Sequence, residues 1–177
     1  MRKKQGITLL QMMISVAMFA VLSSAFTFVF FITLKNWNYQ SQRLELREPA
    51  IWGLENISQD LRRASSFSVC QASQIEFTIS PYETVNYNRV LTSGVWQIVR
   101  TYTPTGLSAT TATVAKNVSA FTLEFYNSAG TLISTPIGTQ AQRDNVRLVR
   151  ITLSLQSTLL SNVETVTLRT QIRPRNL

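Results

Sequence analysis

The chain has no histidine, one cysteine and only two aspartates among its 177 residues. Without histidine there is no Ser-His or Cys-His pair, no ordinary zinc site, and none of the commonest general base. Cys70 stands alone, so no internal disulfide can form, and a lone cysteine ordinarily behaves as a small buried hydrophobe. Asp60 and Asp144 are far apart, and no loop gathers the several oxygen ligands that calcium needs. Ser and Thr are plentiful but sit in strand-like or loop-like context with no partner base. An enzyme has almost no material here. No catalytic residue, metal ligand or cofactor is expected.

Negative charge is also scarce. The formal net charge is +8. Three of the 17 basic residues (Arg2, Lys3 and Lys4) open the chain, and without them 14 remain against 9 acidic residues, a charge of +5. The rest are scattered, among them Arg62, Arg63, Arg89, Arg100, Arg143, Arg147, Arg150, Arg169, Arg173 and Arg175. No block of them reads as a nucleic-acid arm, and net charge alone reports only non-specific attraction, so nucleic acid is not expected as a partner.

What the chain has in excess is one apolar run. The leader MRKKQG ends at Gly6, and no charge follows Lys4 until Lys35. Residues 7–34 form an uncharged stretch of 28 residues, whereas a membrane-spanning helix needs roughly 20. A secretory signal has an apolar region of only about 7–15 residues, followed by a small-residue cleavage site, and neither feature fits here. Basic residues before the run hold the N-terminus in the cytoplasm, and Trp37 and Tyr39 suit the opposite membrane interface. The topology alone also fits an unprocessed single-pass anchor.

Gly6, Ile7, Thr8, Leu9, Leu10 and Gln11, placed behind a short basic leader, make the chain resemble the type IV pilins and pseudopilins. That resemblance implies cleavage between Gly6 and Ile7 by a prepilin peptidase on the cytoplasmic side. It also implies N-methylation of Ile7 and an assembly contact through Thr8 and Gln11. Two positions depart from the pattern: Ile7 stands where Phe is usual, and Gln11 where Glu is usual. A carboxylate in hydrocarbon is costly unless paired, which makes that Glu an assembly device. Gln11 keeps only hydrogen bonding, worth about 1 kcal/mol or less. The lost charge points to a minor subunit rather than an endlessly repeating one.

Helix is expected to continue beyond the membrane. In residues 40–65, Leu44, Ile51, Leu54, Leu61 and Ala64 recur at spacings of three, four and seven with Ile57 beside them, predicting one apolar face. Pro49 predicts a kink or break, or else the first residue of a second helix. After Ser66 the period becomes two. Ile75, Phe77 and Ile79 alternate with polar residues, as do Val85 and Tyr87, then Phe121, Leu123 and Phe125. Trp96, Ile98 and Arg100 alternate with Val95, Gln97 and Val99, in a strand expected to be covered on both faces. Leu148, Ile151, Leu153 and Leu155 keep alternation only with a bulge near Val149 and Arg150, and Val166, Leu168 and Ile172 end the series. Ser93-Gly94 and the turn at residues 127–130 separate strands, the second as a hairpin turn between 119–126 and 131–134. Residues 105–113 and 135–143 are expected as loops.

The expected fold class is therefore α+β, with a long N-terminal helix, hydrophobic then amphipathic, packed on an antiparallel β-sheet domain, which is also the pilin architecture. The parts are a leader at 1–6, a transmembrane or filament-core helix at 7–34, an extracytoplasmic helix at 35–66 kinked near Pro49, and a β domain at 67–177. Residues 54–64, 116–118 with 121–126, 146–153 and 173–176 also resemble minor subunits of the J and W types. The resemblance implies a non-enzymatic minor pseudopilin that helps initiate or cap a type II secretion pseudopilus, anchored in the bacterial inner membrane with its C-terminal domain periplasmic. The other system it implies is a type IV pilus, with a role in assembly, adhesion or DNA uptake. Its implied partners are the sibling minor subunits, the major subunit, the prepilin peptidase and the membrane.

Overall fold

The computed structural model describes residues 9–159 and 162–175. The chain forms two compact units, Met1–Ser41 and Gln42–Leu177. Helix α1 (Leu9–Arg62) supplies the whole described part of the first unit and the opening segment of the second. Its sequence has no Gly or Pro before Pro49 and is rich in Leu, Met and Ala, which lose little on entering a helix. Pro49 lies inside α1 rather than at the head of a second helix, and no break interrupts the helix there.

In the second unit the buried side of α1 is Leu46, Ala50, Leu54, Ile57 and Leu61. Leu44 and Ile51, expected on this same face, are instead 65% and 45% exposed. The reason is geometric. A step of three residues under-rotates an α-helix by about 60°, so a path of threes and sevens walks from one side to the other. Leu54, Ile57, Leu61 and the following Ala64 belong to the core as expected. The helix closes at Arg62, with Arg63 N–H donating to Asp60 O and Ala64 N–H to Leu61 O in a tightened last turn.

All strand pairs are antiparallel, and they form two sheets. The first runs in chain order through β1 (Ser66–Cys70), β2 (Gln74–Ser80), β3 (Glu83–Thr92), β4 (Val95–Pro104) and β5 (Thr110–Lys116). The second has the order β7-β6-β8-β9, from β6 (Val118–Tyr126), β7 (Leu132–Ile133), β8 (Leu148–Leu159) and β9 (Asn162–Ile172). Asn117 lies between β5 and β6 with φ 58°, a left-handed residue at the point where the chain changes sheets.

The predicted hairpin turns are present. Ser93 and Gly94 both have positive φ, as a two-residue β3–β4 turn requires. Asn127 Oδ1 accepts from the N–H groups of Ala129 and Thr131 between β6 and β7. The bulge expected at Val149 and Arg150 is absent. Val149, Ile151, Leu153 and Leu155 are all buried in strict alternation, and Leu148 sits on the other face. The irregularity between β6 and β8 falls at Val118 to Ala120 instead. Two expected loops hold structure. β5 takes Thr110 onward, a Thr- and Ala-rich stretch whose pairing comes from β4 rather than its own pattern. The 135–143 stretch contains a cis Thr135–Pro136 bond and helix α2 (Gln140–Arg143), capped by the Thr139 side chain. Of β4, only Ile98 is fully buried, so cover on both faces does not extend along that strand.

One core joins α1 and both sheets. Phe67 packs edge-on against Phe77 in its own sheet and against Phe125 in the other, with ring centroids 6.3 and 6.4 Å apart. Gly53 marks the close approach of the helix, where an added Cβ would meet Ala115, Leu153 and Val114 side chains at 3.6 Å. That is ordinary van der Waals distance, so a methyl fits. Gly53→Ala should raise the unfolding free energy by about 0.5–1 kcal/mol through helix propensity. Denaturant titration checks this, and Gly53→Leu should reverse the sign.

Candidate functional site

The described part of the first unit exposes its whole apolar run. Leu10, Met12, Phe19, Val21, Phe26, Phe28 and Phe31 each leave more than half of their surface uncovered. α1 is the helix long and apolar enough, by length and composition, to cross a membrane, and none of its most apolar segment is buried. Four hydroxyls within the run are satisfied locally. Ser15 Oγ donates to Gln11 O at 2.9 Å, Ser24 Oγ to Val21 O, Thr27 Oγ1 to Ser23 O, and Thr33 Oγ1 to Val29 O. Such bonds to the preceding turn let hydroxyls enter hydrocarbon without a neighbour, so Ser15 and Ser24 need no second helix. Beyond the run, Lys35 Nζ lies 5.9 Å from the Tyr39 ring centroid.

Gly6, Ile7 and Thr8, the expected processing and contact residues, lie outside the described residues. Gln11 is described, in the first turns of α1, with an exposed side chain.

In the second unit, the polar groups brought together hold the fold. Asp60, near the end of α1, is the centre of one cluster. Its Oδ2 accepts from Tyr87 Oη and from Arg100 Nε, both at 2.7 Å. Burial, then the Asp60 hydrogen bond, push the Tyr87 hydroxyl far above the usual phenol range. Burial opposes the Arg100 charge, but the Asp60 hydrogen bond and charge outweigh it and raise that pKa. Tyr87 therefore stays a donor and Arg100 a cation, and both tie β3 and β4 to the helix. Only an inward-parity arginine in an otherwise apolar strand face hinted at this cluster in the sequence.

A second group lies on the outer face of the β6-β8-β9 sheet. Arg150 donates to Glu124 Oε2 at 3.1 Å and to Tyr126 Oη at 2.6 Å. Gln171, with its amide oxygen turned inward, accepts from the same guanidinium at 3.0 Å. The guanidinium of Arg89 covers the Trp96 ring at 4.2 Å and donates to the carbonyls of Val118 and Ser119. Cys70 is buried and free, and burial pushes its thiol up to about 12, so the reactive thiolate is suppressed.

Two shallow concavities lie among the described residues of the second unit. One, of about 290 Å³, runs between α1 and β5 and is lined by Glu45, Leu46, Pro49 and Leu155 with residues 113–117. The other, of about 250 Å³, lies on the outer face of the first sheet among Gln74, Glu76, Asn86, Asn88 and Thr101. Neither has a His or Cys in its lining. Among the described residues, no group of three or more His, Cys, Asp or Glu side chains is placed to hold a metal.

The central role of Asp60 is testable. Asp60→Ala should cost about 2–4 kcal/mol of stability, because it strands a buried hydroxyl and a partly buried guanidinium. Tyr87→Phe should cost less, about 1 kcal/mol, since Asp60 keeps Arg100. Chemical denaturation of the two variants checks the order. No protein-family model matches this chain, and no curated protein is significantly similar to it.

Proposed function

We propose that the chain is a non-enzymatic minor subunit of a pilin-type filament, and specifically a minor pseudopilin that helps initiate or cap a type II secretion pseudopilus. The observation that carries this reading is the order of its N-terminus: a basic leader, then Gly6, Ile7 and Thr8, then an apolar run with no charge before Lys35. A leader of that form is cut on the cytoplasmic side and leaves the apolar helix stored in the inner membrane. The exposed surface of the run supports such storage, because water is a poor medium for it. Gln11 in place of a carboxylate supports a minor position, since it lacks the charge that pairs with the next subunit. The second unit then serves as the extracytoplasmic body that meets sibling subunits. Its polar clusters are spent on holding the fold, which favours a structural role over chemistry.

Co-expression with a prepilin peptidase should shorten the chain by the six residues through Gly6 and add one methyl to Ile7. Intact-mass spectrometry reads both changes. An uncut Met1 start in the presence of an active peptidase contradicts the reading. In the native host, deletion should abolish export of a secreted protein while leaving twitching and DNA uptake unchanged. The opposite pattern would assign the chain to a type IV pilus.

A further inference from the structure

The outer faces of the two sheets treat their polar side chains in opposite ways. On the second sheet the polar groups satisfy one another. Arg150 holds Glu124 and Tyr126, Ser154 Oγ lies 2.8 Å from Thr167 Oγ1, and Arg169 donates to Thr152 Oγ1. On the first sheet they do not. There β2, β3 and β4 set polar residues side by side: Gln74 beside Asn88, Glu76 beside Asn86 and Thr101, and Thr84 beside Thr103. Asn86 Nδ2 donates to Glu76 Oε2 at 2.8 Å. Among the described residues, the side chains of Gln74, Thr84, Asn88 and Thr101 have no hydrogen-bond partner, although all four are half-buried. A half-buried amide or hydroxyl without a partner is shielded from water on one side and gains when a ligand supplies the missing donor or acceptor.

The charge of this face limits what the ligand can be. The chain has 17 basic residues, yet none lines the concavity of about 250 Å³, whose single charged residue is Glu76. Nucleic acid and anionic lipid headgroups need cations, which the lining lacks. One carboxylate is no cluster for a metal ion. What remains is hydroxyls, amides and two valines. Val99 is directly opposite Asn88, and Val90 is two residues along on the same face. A surface that is nearly neutral, carries both donors and acceptors, and has methyl groups beside them is complementary to an uncharged sugar. Ring hydroxyls meet the amides and threonines. An acetamido group suits Asn88, because two amides exchange a donor and an acceptor in one pairing while the valines receive the acetyl methyl.

We infer that this face binds an uncharged, N-acetylated glycan strand of the cell wall. Gln74, Glu76, Asn86 and Asn88 supply the hydrogen bonds, and Val90 and Val99 the apolar contact. The second unit would then grip the polymer that an extracytoplasmic filament has to pass. The inference rests on the extracytoplasmic position given to that unit by the proposed function. Glycan binding by the purified chain is read independently of leader cleavage, so either can fail without the other.

The test uses the full chain in phosphatidylcholine nanodiscs, free of glycosidic detergent, with titration calorimetry as readout. The probes are tetra-N-acetylchitotetraose, cell-wall glycan strands stripped of their peptides by an amidase, and maltotetraose. The first two should bind saturably and maltotetraose at least ten-fold more weakly, the loss of one or two hydrogen bonds. Asn88→Val should weaken the N-acetylated probes about ten-fold. Gln74→Val, in the same row, should act in the same direction and serves if the first variant does not fold. Glu76→Gln and a rise in salt from about 0.05 to 0.5 M should leave binding within about three-fold, since the ligand is neutral. Thr122→Val, on the outer face of the second sheet, should bind as the native chain does. Absence of binding to both N-acetylated probes would overturn the inference, as would native affinity in folded Asn88→Val and Gln74→Val. Binding of the tetramer without the strands, or of maltotetraose as tightly, would overturn the assignment to wall glycan. Loss of binding in Glu76→Gln together with strong salt dependence would point to a cationic ligand, which also overturns it.

Discussion

Everything in this molecule depends on one helix whose two segments need different surroundings. In the second unit, α1 buries Leu46, Ala50, Leu54, Ile57 and Leu61 against two sheets and thereby satisfies its inner side within the chain. In the first unit no side of the helix is satisfied: Phe, Leu, Met and Val project all round it and are exposed. Each such side chain gains about 1.5–3 kcal/mol on leaving water, so the whole run carries tens of kcal/mol that the chain itself does not recover. By length and composition this helix is able to cross a membrane, where that energy is recovered. That single demand explains the internal hydroxyl bonds of Ser15, Ser24, Thr27 and Thr33, and it makes a membrane or a bundle of similar helices the natural setting.

The second unit answers a different problem, which is how to fasten a helix to two sheets through one core. Aromatic contacts through Phe67 join the sheets. At Gly53, α1 comes close to Ala115 and Leu153, with room left for a methyl group. Asp60 then gathers Tyr87 and Arg100 at the end of the helix, so the last turn of α1 is held by charge as well as by packing. The glutamates of the opposite side are left out of this network. Packing and polarity are thus divided cleanly between an inner side that builds the fold and an outer side that does not.

Much of this was legible in the sequence. The apolar run declares itself by length. The alternation at Phe121, Leu123 and Phe125 marks β6, and Ser93-Gly94 marks a tight turn whose two positive φ values are present. The α+β class follows from those elements together. What could not be read depends on partners distant in sequence. β5 carries Thr and Ala with no useful period, and it becomes a strand because β4 offers it hydrogen bonds. Sequence spacing alone cannot tell two stripes on one helix from a single drifting one, so Leu44 and Ile51 read as core residues although both are exposed. Counting Leu148 as inward requires a bulge, whereas Val149 is the inward residue and the alternation is unbroken. The Asp60 cluster was not legible in the sequence, because it exists only when the end of the helix meets β3 and β4.

The most direct measurement is the depth of α1 in a bilayer. Nitroxides at Val21 and Gln59 of the full chain, in a Cys70→Ser background, would be compared for collision with oxygen and with a water-soluble nickel chelate. The account predicts that oxygen dominates at Val21 and the chelate at Gln59, because the apolar run lies in hydrocarbon and the second segment in water. Chelate access at Val21 equal to that at Gln59 would contradict it.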